Sequence, residues 1–236
     1  MTYKLLDQFA NLFAGVKYQH RVSTHGDAVA RRLFEDLYVL DRSPKLISRV
    51  DSCLSVLNVQ NRRHGVAARR GDGTFGELVP GAPVVRDIGF IVGRGPIATI
   101  EIGVEVKILA KAMIKQIDRV INDLDKQAAH FKSKRGHPIT VGIVGINSAP
   151  EYRSYEGGRE YLTTGSAGYR HPVQEAAAAE ERLVSLAAPK FDEFLVLRFI
   201  ASNQAPFSFE WVSKSQTAMD YGAVLARISQ QYEMRF

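Results

Sequence analysis

Residues 99–111 read TIEIGVEVKILAK, and this stretch decides the fold. Alternate residues of a strand share a face. Ile100, Ile102, Val104, Val106 and Ile108 then form a wholly apolar face, suited to the inside of a protein. Thr99, Glu101, Gly103, Glu105 and Lys107 form the other. Charged groups are rarely buried without partners, because removing them from water is costly. Two acids and a lysine on one side of so apolar a strand therefore call for an explanation. Gly103 leaves a gap through which something can approach the backbone.

The flanking sequence extends this strand in both directions. Upstream, PVVRDIGFIVG (83–93) alternates like a strand and GRGP (93–96) turns the chain, which predicts an antiparallel pair of 83–93 with 98–109. Downstream, Ile114, Ile117, Ile121, Leu124, Ala128 and Phe131 recur at helical spacing, predicting a helix over about 110–131. PITVGIVGIN (138–147) is a continuous apolar run of the kind buried on both sides of a sheet. Together these predict a strand–helix–strand unit over 98–147 with a right-handed crossover.

The remaining segments add helices and strands around that unit. Leu5, Leu6, Phe9, Leu12, Phe13 and Val16 have helical spacing. Asp27 can cap a second helix with the stripe Ala30, Leu33, Phe34, Leu37 and Leu40, and Ser43-Pro44 begins a third. LSVLNVQ (54–60) either ends that helix or forms a strand, and 61–76 read as loop or hairpin. A helix over 172–187, strands over 194–201 and 207–213, and a helix over 217–232 follow. The expectation is a single α/β domain over 1–236, with a mixed central sheet and helices on both faces. Residues 1–26 read as an N-terminal helical extension, and 148–172 as a long loop rich in tyrosine, arginine and glycine.

Bulk composition narrows the function classes. One cysteine, Cys53, excludes an internal disulfide and suits a reducing cytoplasm; Cys53 itself reads as a small core residue. No apolar run approaches the roughly 20 residues that span a bilayer, so no membrane partner is expected. The N-terminus lacks a small-residue cleavage pattern, so no signal peptide is expected. The net charge of +6 favours polyanionic partners such as nucleic acid.

If 83–93 and 98–109 pair, Asp87 comes near Glu105. Two adjacent carboxylates remain ionised only with a cation between them, and hard oxygen ligands suit Mg²⁺. Lys107 is placed to hold a nucleophilic water or to neutralise charge on a phosphate. An acid followed on the next strand by acid-x-Lys resembles the PD-(D/E)xK phosphodiesterase superfamily, which includes many restriction endonucleases. The matching residues are Asp87 and Glu105-Val106-Lys107, within a stretch of about 27–147, and Arg86 stands where a proline often precedes the aspartate.

The resemblance implies a restriction-endonuclease-like fold and Mg²⁺-dependent cleavage of DNA, with Mn²⁺ able to substitute and RNA left open as substrate. It implies a setting in host defence and a homodimer or larger assembly. It further implies that Asp87, Glu105 and the Val106 carbonyl ligate Mg²⁺ and that Lys107 orients the attacking water. Glu35 matches the further acid that such enzymes take from the preceding helix, and Gln116 the glutamine that some carry after the motif. Arg62, Arg63, Arg69, Arg70, Lys111 and Lys115 are candidate phosphate contacts.

Two alternatives stand beside this reading. Glu105 and Lys107 can pair on a solvated sheet face, with Asp87 paired to Arg86 or Arg94. The chain can also be a non-catalytic nucleic-acid-binding or assembly protein that keeps a nuclease-like fold. GRGPIA (93–98) matches a dinucleotide fingerprint in letters only, because a strand rather than a helix follows it.

Overall fold

A computed structural model of the chain describes residues 2–20, 22, 24–58, 71–133, 136–156, 158–163 and 174–236. The helices are α1 (Lys4–Ala10), α2 (Thr24–Leu40), α3 (Pro44–Asp51), α4 (Ile114–Lys132), α5 (Ala176–Leu186) and α6 (Lys214–Arg235). The strands are β1 (Ser55–Asn58), β2 (Gly73–Glu77), β3 (Arg94–Gly95), β4 (Ile102–Leu109), β5 (Ile139–Asn147), β6 (Tyr152–Glu156), β7 (Arg159–Thr163), β8 (Glu193–Ile200) and β9 (Glu210–Trp211). Seven strands form one mixed sheet in the order β3-β1-β2-β4-β5-β8-β9. β1, β2 and β4 run as an antiparallel series, whereas β4, β5 and β8 are mutually parallel.

This is the expected α/β domain, and the pleat of β4 and β5 explains its two layers. Ile102, Val104 and Val106 of β4 and Val141 and Ile143 of β5 point into a core shared with α1, α2 and α6. Leu109, Val144 and Ile146 point the other way, into a core with Ile117 and Leu124 of α4 and Ala179 and Leu183 of α5. Residues 1–26 are less of an extension than the sequence suggested. Leu5 and Phe9 are buried, and the Asp36 carboxylate accepts hydrogen bonds from the backbone N–H groups of Lys4 and Leu5 and from the Tyr221 hydroxyl. Within 148–172, β6 and β7 pair as an antiparallel hairpin.

The predicted hairpin of 83–93 with 98–109 does not form. The edge of β4 meant for 83–93 is occupied by β2, with Gly73 opposite Val104 and Phe75 opposite Ile102. Residues 83–93 run outside the sheet apart from one bridge, between Val85 and Arg94. Val85, Ile88 and Ile91 of that segment are exposed, and only its two ends reach a core, through Val84 and Val92. The strand that replaces it, GTFGE, has poor strand propensity, but its glycines fit the packing. A Cβ on Gly76 would lie 1.9 Å from the Thr99 carbonyl oxygen, and one on Gly73 would lie 2.9 Å from the Ala30 side chain. Gly103 is likewise filled, because the Phe131 ring of α4 lies 2.7 Å from where its Cβ would stand.

Candidate active site

β2 starts opposite Val104, and β4 runs on past it to Leu109. The ladder stops at Gly73 and Val104, and the next residue of β4 is Glu105. At that point Asp72 turns its side chain into the vacated edge. Its carboxylate accepts a 2.8 Å hydrogen bond from the backbone N–H of Val106, the residue between Glu105 and Lys107. A residue's N–H and C=O share one edge of a strand, so the Val106 carbonyl opens to the same side.

Glu105 lies on the α4 side of the sheet. It is buried, and its carboxylate receives the Lys107 ammonium at 2.7 Å. Burial pushes the Glu105 carboxyl up to about 7, with the negative charge of Asp72 as the next largest cause and Lys107 opposing both. The Lys107 ammonium is held above its usual range despite burial, by Glu105 first and by Asp72 and Asp123 of α4 further on. Asp72, Glu105 and Lys107 are thus one electrostatic unit.

Asp72 also faces a cleft of about 230 Å³ between the start of α2 and the strands β1 and β2. Asp27, in the first turn of α2, lines the same cleft, as do Arg31, Asn58, Thr74 and Arg94. Gly26 of α2 packs directly on Asp72, for a Cβ there would lie 2.6 Å from the carboxyl carbon.

Several sequence-predicted residues stand elsewhere. Asp87 is not beside Glu105. It accepts from Arg31 Nη2 at 2.6 Å and from Arg94 Nε and Nη2 at 2.5 and 2.9 Å, and these partners hold its carboxyl below the usual range. It leaves Glu105 because 83–93 is not the strand paired with β4. Glu35 is buried and accepts from the backbone N–H groups of Ile91 and Val92, with the Lys4 ammonium at 3.4 Å, so it anchors a loop rather than facing the cleft. Gln116 and Lys115 are exposed in the first turn of α4, and among the described residues no hydrogen bond joins the Gln116 side chain to Glu105 or Lys107. Lys111 is buried with its ammonium 5.9 Å from the Tyr161 ring centroid, which removes it as an open phosphate contact. Arg62, Arg63, Arg69 and Arg70 lie outside the described residues, whose two ends here, Asn58 and Gly71, both line the cleft.

Glu101 is also resolved. The strand face breaks just before β4, so Glu101 turns toward α3 and α6, where Arg49, Ser55 and Tyr232 donate to its carboxylate. The pairings of the solvated-face alternative, Asp87 with Arg94 and Glu105 with Lys107, both form. The face itself is buried at Glu105, so it is not a solvated one.

Asp72 is the residue that the sequence pattern missed. It stands in RGDGTFG, where three glycines read as loop. The available signal was the spacing of Thr24, Asp27, Ala28 and Arg31, which places four cleft residues on one face of a helix. No family model matches the chain, and no curated protein or solved structure matches it either.

Proposed function

We propose that the chain is a metal-dependent nuclease whose catalytic group is Asp72, Glu105 and Lys107, acting on DNA as its expected substrate. The observation that carries this reading is the Asp72 carboxylate against the Val106 N–H, which brings an acid from one strand to an acid-x-Lys on its antiparallel neighbour. The order α2, α3, β1, β2, β3, β4, α4, β5, with β2 and β4 adjacent and β5 parallel to β4, supports the PD-(D/E)xK resemblance with Asp72 in the place first given to Asp87.

The donor set fits a divalent cation. Repulsion from Asp72 helps to raise Glu105, and a cation between the two removes that repulsion. Asp72, Glu105 and the Val106 carbonyl would hold it. Among the described residues no group of three or more His, Cys, Asp or Glu forms a metal cage. Mg²⁺ accepts such a site, since it keeps several waters and binds through one or two carboxylates plus substrate phosphate. When bound, the cation supplies charge stabilisation at the phosphate and a more acidic water. Lys107, already within reach of Glu105, would orient the attacking water and offset charge on the phosphate oxygens. The net charge of +6 favours a polyanionic substrate.

The experiment is incubation of duplex DNA with the purified protein and Mg²⁺, beside Asp72→Asn and Glu105→Gln. Cleavage by the unaltered protein and loss in both variants supports the reading; equal cleavage by all three removes it. The second reading, a non-catalytic nucleic-acid-binding protein, is favoured by the net charge of +6. It predicts salt-dependent DNA binding without cleavage.

A further inference from the structure

We infer that Arg31 and Arg94 form a clamp for a substrate phosphodiester in the cleft beside Asp72, and that Asp87 is the positioning residue that sets the clamp. This deepens the nuclease reading and rests on it. Both guanidiniums line the cleft with Asp72 and Asp27. Asp87 fixes them together, taking Nη2 of Arg31 and both Nε and Nη2 of Arg94. Phe90 lies under Arg31, with the guanidinium carbon 3.2 Å from the ring centroid. Two arginines locked by one carboxylate and an aromatic face are preorganised, so ordering them again on binding costs little.

The donors left over point to an anion. Arg31 Nε is buried and has no hydrogen-bond partner among the described residues. A buried donor without an acceptor is costly unless something supplies one. Asp87 uses one edge of the Arg94 guanidinium, leaving Nη1 of Arg94 and Nε and Nη1 of Arg31 for a second acceptor. A tetrahedral phosphodiester offers two such oxygens, one for a charged donor of each arginine. Charge makes the seat conditional. Among the described residues Asp27 and Asp72 share the cleft with the two arginines, so neutralising an acid there favours the entry of an anion. The metal proposed at Asp72 and Glu105 would do this, which ties the clamp to the same site.

The test is binding rather than cleavage. In an Asp72→Asn/Glu105→Gln background, in EDTA, a fluorescein-labelled duplex oligonucleotide is titrated at several KCl concentrations, with Arg31→Ala or Arg94→Ala added. Each lost phosphate contact lowers the slope of log K against log salt by about one. That drop is expected in both variants, and melting temperature confirms that each is folded. Arg31→Lys, which keeps the charge without Nε, retains the slope and weakens binding. Slopes unchanged in Arg31→Ala and Arg94→Ala overturn the clamp, even when the unaltered protein cleaves DNA in Mg²⁺. A lower slope beside no cleavage by the unaltered protein keeps the clamp and removes the nuclease. Displacement of the duplex by inorganic phosphate at equal concentration marks a free-phosphate site and overturns the nucleic-acid assignment.

Discussion

Asp72 accepts a hydrogen bond from the backbone N–H of Val106, and this contact between a side chain and a strand edge holds the candidate site together. It satisfies a donor that β2 no longer reaches, and it fixes an acid beside Glu105 and Lys107. A structural carboxylate that only capped this donor would not need to sit against a second acid. The proximity raises Glu105, which is a cost in the free protein and an asset where a cation is bound.

Asp72 and Asp87 separate the two readings of the first acid. Asp72→Asn keeps the hydrogen bond to Val106 N–H but loses a charge, so cleavage falls more than about 100-fold, beyond the effect typical of outer-shell partners. Asp87→Asn weakens the hold on Arg31 and Arg94 and leaves metal affinity unchanged. Single-turnover cleavage and Mg²⁺ titration of both variants measure this. Loss of Mg²⁺ affinity on Asp87→Asn alone would restore the first assignment.

Glu105 sets the pH dependence. Burial holds its folded-state carboxyl at about 7, above the ordinary value of 4.5. Between those limits the folded protein binds more protons than the unfolded chain, so this group's contribution to stability falls as pH rises from about 4.5 to 7 and is constant above. Glu105→Gln removes that loss. Its melting temperature relative to the unaltered protein is expected to be higher at pH 8 than at pH 5, read by differential scanning calorimetry. Mg²⁺ requires the ionised carboxylate, so its affinity rises with pH through the same window. Added Mg²⁺ raises the melting temperature of the unaltered protein and not that of Glu105→Gln.

Gly26→Ala separates function from stability. Alanine is better than glycine in a helix by about 1 kcal/mol, so α2 itself gains. The new Cβ meets the Asp72 carboxylate at 2.6 Å and drives it off the Val106 N–H. The expected result is a melting temperature within a few degrees of the unaltered protein and a marked fall in Mg²⁺ affinity. A purely structural role for Asp72 predicts lower stability with no change in metal binding.

Much of the fold was legible because β4, α4 and β5 carry clean periodicities. The apolar sides of Ile102, Val104, Val106, Val141 and Ile143 found their core. Half of the site was legible as well, in Glu105 and Lys107. The other half was not, because the strand that brings Asp72 is GTFGE. Its glycines are selected by close packing against Ala30 and Thr99, which a reading of propensity turns into a loop. The segment 83–93 misled in the opposite direction. Its alternating apolar residues include the fully exposed Ile88, and its single acid serves two arginines. Glu101 misled for a third reason: strand parity breaks before Ile102, and no local sequence signal marks the break.

Glu35 tests the distinction between a buried acid that works in a site and one that holds a loop. Its carboxylate accepts from the N–H groups of Ile91 and Val92 at 3.0 and 2.9 Å and faces neither Asp72 nor Glu105. Glu35→Ala leaves two backbone donors without an acceptor and opens space under α2, so destabilisation of about 2–4 kcal/mol is expected. The loop it anchors carries Asp87 and Phe90, both of which set Arg31. At a temperature where the variant is folded, Mg²⁺ affinity is therefore unchanged, while the salt slope of DNA binding falls toward that of Arg31→Ala. Chemical denaturation gives the first quantity and the binding titration the second. A metal ligand at Glu35 would reverse this pattern, with Mg²⁺ affinity lost and the salt slope kept.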